Sequence, residues 1–411
     1  MAKHRAIGPS AWIVGAAGLI IGVGAAWLVN QGNPGNMGLC IACFNRDITG
    51  AFGGAWANMG GVAYIRPEII GLLLGATVAS LATREFRPRG GSSVLLRFVL
   101  GFIFMLSSLI FLGCTVRAWL RLGGGDLNAL YGIAGIVVGV SVGAVFLKQG
   151  FNLGRAKVLN PVAGWIGPAI IGVLLVLALL VAFGSAPGFL TTTPAGAKAT
   201  AEGAVVQGDT VLRPPGATLV DGAVVGEDGT VISPAESVEK APPMPGGKRA
   251  PFVISIVAGL ALGVVAQRSR FCSMGGIRDV VLVRRFDLLF AVIGLLVGAT
   301  IANMLFGQYN LGFTGQPVAH TDALGNFAAM VVAGLSALML GGCPFRQVIM
   351  SGEGDADATV AMLGMFGGAL VAHRFVIASS GAGLSDKAWP ALAIMLAVLL
   401  VIAFVKRERL A

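Results

Sequence analysis

Apolar stretches about as long as a membrane is thick recur along most of the chain, separated by short polar runs. The first extends from about Ala11 to Val29, behind Lys3, His4 and Arg5. Others fall near Pro67–Thr83, Val94–Leu112, Ala129–Leu147 and Pro161–Phe183. A second series lies near Pro251–Val265, Leu288–Phe306, Ala323–Leu340, Ala358–Ile377 and Trp389–Val405. At about 1.5 Å of rise per residue, about 20 apolar residues cross a hydrocarbon core and 17 can suffice. The pattern predicts roughly ten crossing helices, five in each series. The first stretch begins with positive charge, as a signal peptide does. It is longer than the usual apolar region of about 7–15 residues, so it is read as a retained helix.

Composition agrees. Hydrophobic residues make up 56% of the 411, charged residues 12%, and mean hydropathy is +0.84. Soluble domains carry about 25% charge. The expected fold class is an all-α polytopic membrane protein with the lipid bilayer as its solvent. The 62 glycines fit, since small residues let membrane helices approach closely. A net charge of +10 raises the question of nucleic acid. The basic residues mostly flank apolar stretches, however, so topology explains them and no nucleic-acid partner is expected.

Those basic residues orient the chain. They cluster as Arg84, Arg87, Arg89 and Arg97; as Lys148, Arg155 and Lys157; as Arg268, Arg270, Arg278, Arg284 and Arg285; and as Lys406, Arg407 and Arg409. With ten crossings all of them share a side with Lys3 and Arg5, while the loop 307–322 opposite has no Lys or Arg. The positive-inside rule then places both termini in the cytoplasm of a bacterial inner membrane. Three parts follow: a first membrane unit over 1–183, an outer-face linker over 184–249, and a second membrane unit over 250–411. The linker is rich in Pro, Gly, Ala and Thr and contains Asp228-Gly229, a tight-turn pair between β-prone runs. Small hairpins and disorder both fit it.

The polar runs carry the candidate chemistry. Gly342-Cys343-Pro344-Phe345-Arg346 followed by Gly352-Glu353-Gly354-Asp355 repeats the spacing of Gly113-Cys114-Thr115-Val116-Arg117 followed by Gly123-Gly124-Gly125-Asp126. Cys40 with Arg46-Asp47 repeats as Cys272 with Arg278-Asp279. Gly135 and Gly139 track Gly364 and Gly368. Two motifs recurring in one order at nearly equal offsets indicate a duplicated chain. Five crossings per unit would insert the second copy upside down, the inverted repeat of many secondary transporters. Cys40 and Cys114 would then lie toward the outer face, Cys272 and Cys343 toward the cytoplasm. Short re-entrant helices would bring all four toward the midplane in an hourglass-like shape, since irregular backbone at that depth must line a cavity or be buried in protein.

Proline at a first helical position, with the cysteine before it as cap, predicts that Cys343 starts a helix ending near Gly352. Cys114 through Gly123 follows the same plan. A thiol there faces free N–H groups and a dipole that favour anions. Arg46, Arg117, Arg278 and Arg346 add charge near each thiol. They either meet substrate or pair with Asp47, Asp126, Asp279 and Asp355 to brace the loops. Glu353 and Asp357 are read as solvated or as braces. Cys43 has Gly275 at its repeat position and is read as incidental, although it completes C-x-x-C with Cys40. His320 and His373 are isolated and receive no ligand role. Gly123-Gly124-Gly125 lacks the lysine of a phosphate loop. No catalytic residue, metal site or cofactor is expected.

The segment Arg268-Ser-Arg-Phe-Cys-Ser-Met-Gly-Gly-Ile-Arg278-Asp, with Gly341-Gly-Cys-Pro-Phe-Arg-Gln and Gly-Glu-Gly-Asp355, resembles the YeeE/YedE family of membrane proteins. The second motif is similar to its selenium-metabolism YedE branch. Both apolar units take part in the resemblance and the linker does not. It implies an importer of thiosulfate or a related selenium compound, in which cysteines pass the ion along by weak thiol hydrogen bonds. That role would fall to Cys114, Cys343 and Cys272, with Cys40 as a fourth. It also implies a cytoplasmic sulfur- or selenium-carrier protein as partner. The expected function is therefore inner-membrane import of a small sulfur- or selenium-containing anion, by weak multi-site binding that lets the ion leave again. Two rivals remain: a membrane thiol–disulfide oxidoreductase, and a soft-metal transporter using thiolates.

Overall fold

A computed structural model describes residues 10–53, 63–190 and 248–407, together with short strands between 205 and 233. Helices dominate. The first unit contains α1 (Ala11–Asn30), α2 (Ile41–Ala51), α3 (Pro67–Ala82), α4 (Val94–Phe111), α5 (Thr115–Gly123), α6 (Asn128–Lys148), α7 (Pro161–Gly164) and α8 (Ile166–Ala182). The second contains α9 (Phe252–Ser269), α10 (Ser273–Val283), α11 (Asp287–Leu305), α12 (Ala323–Leu340), α13 (Pro344–Gly352), α14 (Ala356–Arg374) and α15 (Ala388–Val405). Each of the ten expected crossings carries a helix. Eight of these are long and apolar enough to span a membrane, and α3 and α8 are shorter. This is an all-α multi-pass membrane protein. One stretch differs from expectation: the apolar run starting at Pro161 is broken at Trp165, so α7 and α8 replace one helix.

The helices pair across the two units. α1 lies on α11 and α9 on α3; α6 lies on α12 and α14 on α4. Among the shorter helices, α5 packs on α11 and α13 on α3, while α2 packs on α14 and α10 on α6. Exchanging the units maps this set of contacts onto itself. Glycine makes the closest approaches possible. A Cβ on Gly22 would stand 2.2 Å from the Leu295 carbonyl oxygen, and one on Gly298 would stand 2.4 Å from that of Leu19. Gly75 and Gly263 stand in the same relation to Leu260 and Leu72, at 2.2 and 2.3 Å. The tracking glycines behave alike. Gly135 and Gly139 abut the carbonyls of Phe327 and Val331, and Gly364 and Gly368 those of Phe98 and Phe102. With no gain of apolar burial to drive helices together in lipid, such backbone contact is a main source of their cohesion.

The basic clusters gather at one end of the bundle. There β1 (Arg89–Gly90) pairs antiparallel with β2 (Lys157–Val158). Glu85 meets Gln267, Arg268 and Arg270, and Arg407 donates to Gln149. The loops around Asn36, Val318 and Ser380 lie at the other end. In the linker, β3 (Val205–Gln207) pairs with β4 (Thr210–Leu212), and β5 (Thr218–Val220), β6 (Ala223–Val225) and β7 (Val231–Ser233) form a three-stranded meander. These are short hairpins of the kind the turn residues suggest.

Candidate functional site: a line of thiols

Four short helices begin at the four repeated cysteines. Cys40, Cys114, Cys272 and Cys343 are the N-caps of α2, α5, α10 and α13, all with extended backbone. Cys40 Sγ accepts from the Cys43 N–H at 3.4 Å, and Cys272 Sγ accepts from the Gly275 N–H at 3.3 Å. The helix run expected from Pro344 to Gly352 is present.

The caps meet in two stations. At one, the Cys343 N–H donates to Cys272 Sγ at 3.4 Å, which makes the two cysteines neighbours. At the other, Cys40 neighbours both Cys114 and Cys43. The stations join through hydroxyls. Thr115 Oγ1, next to Cys114, is 3.0 Å from Ser273 Oγ, next to Cys272. Ser273 also neighbours Cys343. Five sulfurs and two hydroxyls thus form one polar line through an apolar core. All five cysteines are free and buried, so the line is closed to solvent. At the Cys272–Cys343 station Phe271 and Phe345 stack edge-to-face at 5.5 Å.

Cys43, expected to be incidental, belongs to this line. Its sulfur accepts from Arg117 Nη1 at 3.2 Å. The repeat comparison could not find it because Gly275 stands at the equivalent position. The C-x-x-C spacing was the available signal: it places Cys43 one turn into the helix that Cys40 caps.

The arginines divide in a way the motifs did not suggest. Arg46 and Arg278 pair with their neighbours Asp47 and Asp279, at 2.7 and 2.8 Å, as expected. Arg66, absent from the motif, also holds Asp47 at 2.7 Å. Arg117 does not pair with Asp126. Arg121 does, at 2.6 Å, and Asp126 also accepts from the Asn128 N–H. Arg346 does not pair with Asp355. It grips Glu353 through two bonds of 3.0 and 3.1 Å, while Asp355 binds Arg89 at 2.7 Å and accepts from the Ala358 N–H at the start of α14. Spacing explains both swaps: Arg121 lies one helical turn nearer Asp126 than Arg117 does, and Glu353 lies two residues nearer Arg346 than Asp355 does. Asp357 is buried and braces the loop of Gly91 and Ser92, whose N–H groups it accepts at 2.8 and 3.2 Å.

Arg117 is fully buried and forms no ion pair among the described residues. Its guanidinium donates to the carbonyls of Asn36 at 2.9 Å, Val318 at 3.1 Å and Leu112. Burying an unneutralised charge costs several kcal/mol, which carbonyl dipoles offset only in part. Such a charge beside three thiols attracts an anion. Beyond it, away from the basic end, opens a cavity of about 580 Å³ lined by Arg46, Leu112, Val318, His373, Ser379 and Lys387. The cavity leads to Leu112 and Val318, two of the residues whose carbonyls Arg117 holds.

Fold and site together define a helical multi-pass membrane protein with a thiol-lined polar core. Residues 268–406, spanning α10 to α15, match the family described as Sulphur transport. A stretch of 108 residues is 28% identical to the thiosulfate transporter TsuA of Escherichia coli (strain K12), covering 26% of this chain and 30% of that protein. The second unit is thus similar to the sulphur-transport (YeeE/YedE) family, and the chain spans under a third of the length of the curated relative it matches.

Proposed function

We propose that the protein imports a small sulfur-containing anion, with thiosulfate as the concrete case, by passing it from thiol to thiol through the bilayer. One observation carries this reading: Cys43, Cys40, Cys114, Thr115, Ser273, Cys272 and Cys343 follow one another as neighbours through the core, and Arg117, bonded to the Cys43 sulfur, also holds the carbonyls of Leu112 and Val318 at the cavity. Neutral thiols are weak donors with soft, polarizable sulfur, suited to a terminal sulfur or selenium. Weak contacts repeated along a path favour passage over retention. Arg117 supplies the attraction for negative charge, and the cavity beside Arg46, His373 and Lys387 is the entrance. The symmetric helix pairing supports an inverted repeat. The gathering of basic clusters at one end supports insertion in the inner membrane with both termini in the cytoplasm. Delivery to a cytoplasmic sulfur- or selenium-carrier protein would complete the route.

The test is uptake of radiolabelled thiosulfate, and separately of selenite, by cells lacking their own importers. Cys114→Ala and Cys343→Ser variants serve as controls at equal expression. We expect thiosulfate uptake that both variants abolish. Selenite uptake alone would keep the path and move the protein into selenium supply; uptake of neither would end the transport reading. A second reading has one observation in its favour. Cys40 neighbours both Cys43 and Cys114, and a thiol–disulfide couple requires adjacent thiols. Alkylation of the purified protein before and after mild reduction separates the two, because a transporter's thiols stay reduced throughout.

A further inference from the structure

The two stations carry equivalent motifs but different net charge. At the inner station Arg346 sits three residues past Cys343, and both its terminal nitrogens are held by Glu353. Glu353 is itself buried and lies 3.5 Å from Arg89, which Asp355 neutralises. The arginines and carboxylates of that cluster balance. At the outer station Arg117 sits three residues past Cys114, and the position matching Glu353 is Gly124. The nearby carboxylates are already engaged: Asp126 by Arg121, and Asp47 by Arg46 and Arg66. Arg121 Nη2 also finds no acceptor among the described residues. The outer station thus keeps an unspent positive charge and an unspent donor. The inner one keeps neither.

Resting on the transport reading above, we infer that Glu353 is a release-tuning residue. By occupying Arg346 it denies the permeating anion a charged partner at the inner thiols, so the anion is captured beside Arg117 and let go beside Arg346. Glu353 acts through Arg346 and does not touch the anion. Neutralising it frees a guanidinium whose charge-assisted hydrogen bond to an anion outweighs that of a thiol. The anion would then linger at Cys272 and Cys343, and the slow step would become its departure.

The test measures thiosulfate flux in right-side-out and everted membrane vesicles containing the full chain. For Glu353→Gln we expect the half-saturating concentration from the Arg346 face to fall about tenfold. Maximal flux should fall with it, and saturation from the Arg117 face should change little. Adding Arg346→Gln to Glu353→Gln should return inner-face saturation to the wild-type value, which damage to the loop around Arg89 would not allow. If Glu353→Gln does not fold, the double variant still decides. Removing that neutral pair should leave inner-face saturation unchanged, whereas Arg117→Gln should weaken outer-face saturation about tenfold. Equal losses at the two faces, or a Glu353→Gln protein that saturates like wild type, would overturn the inference alone. A wild-type protein that carries no thiosulfate from either face would overturn the transport reading and this inference with it.

Discussion

At the scale of single residues, position relative to the thiols decides what a charge can do. Arg117 spends its donors on three carbonyls and the Cys43 sulfur, so its size and fork shape matter as much as its charge. Arg117→Lys keeps the charge but cannot reach all four acceptors. We expect it to transport with an intermediate half-saturating concentration, between wild type and Arg117→Gln. Uptake kinetics of the three proteins at equal expression check the order, and a lysine variant as weak as the glutamine variant would reduce Arg117 to a structural brace. His320, in the loop between α11 and α12, makes a separate prediction. Burial pushes its pKa below the usual 6.5, and its Nε2 meets the Ile110 carbonyl at 2.9 Å. A histidine held neutral when folded contributes stability in full above its unfolded pKa. That contribution is lost as pH falls through 6.5 toward the lower folded value. The thermal midpoint in detergent should therefore drop between pH 7 and pH 5, and His320→Gln should flatten the drop.

At the scale of elements, interlocked glycines hold the helix pairs at backbone contact. Gly75 and Gly263 each face a carbonyl closer than any real Cβ could approach. Gly75→Leu would push α3 off α9 and disturb α13, which packs on α3. Overpacking of this kind costs about 1–3 kcal/mol. A lower unfolding temperature in detergent measures the loss. The same substitution at Gly172, on α8 with no atom near its Cβ, should leave stability unchanged. These elements were legible beforehand because hydropathy and cap residues are local signals: all ten crossings and the Cys343 cap follow from them. The break at Trp165 was not, since the apolar run continues across it. Nor were the partners of Asp355 and Glu353, because Arg89 lies 266 and 264 residues away in sequence and reaches them only through the fold. Cys43 is read from sequence as incidental because the duplication has Gly275 at its position, and its bond to Arg117 joins residues 74 apart.

At the scale of the whole molecule, duplication accounts for how the cysteine-capped helices come together. Exchanging the two units preserves the helix pairings, and the starts of α5 and α10 meet through the Thr115 and Ser273 hydroxyls. Charge breaks that symmetry, with basic clusters at one end and the cavity near Arg46 at the other. If the basic end is cytoplasmic, residues at the two ends must be reachable from opposite sides of the membrane. Ala156, beside β2, and Asp386, beside α15, are both exposed and lie at opposite ends. All native cysteines are buried, so a membrane-impermeant maleimide should find little background. In intact cells Asp386→Cys should label and Ala156→Cys should not; permeabilising the membrane should expose Ala156→Cys. Labelling of Ala156→Cys alone in intact cells would invert the orientation and turn the cavity into an exit. Labelling of both would deny that the two ends lie across a bilayer, and with it any path along the thiols.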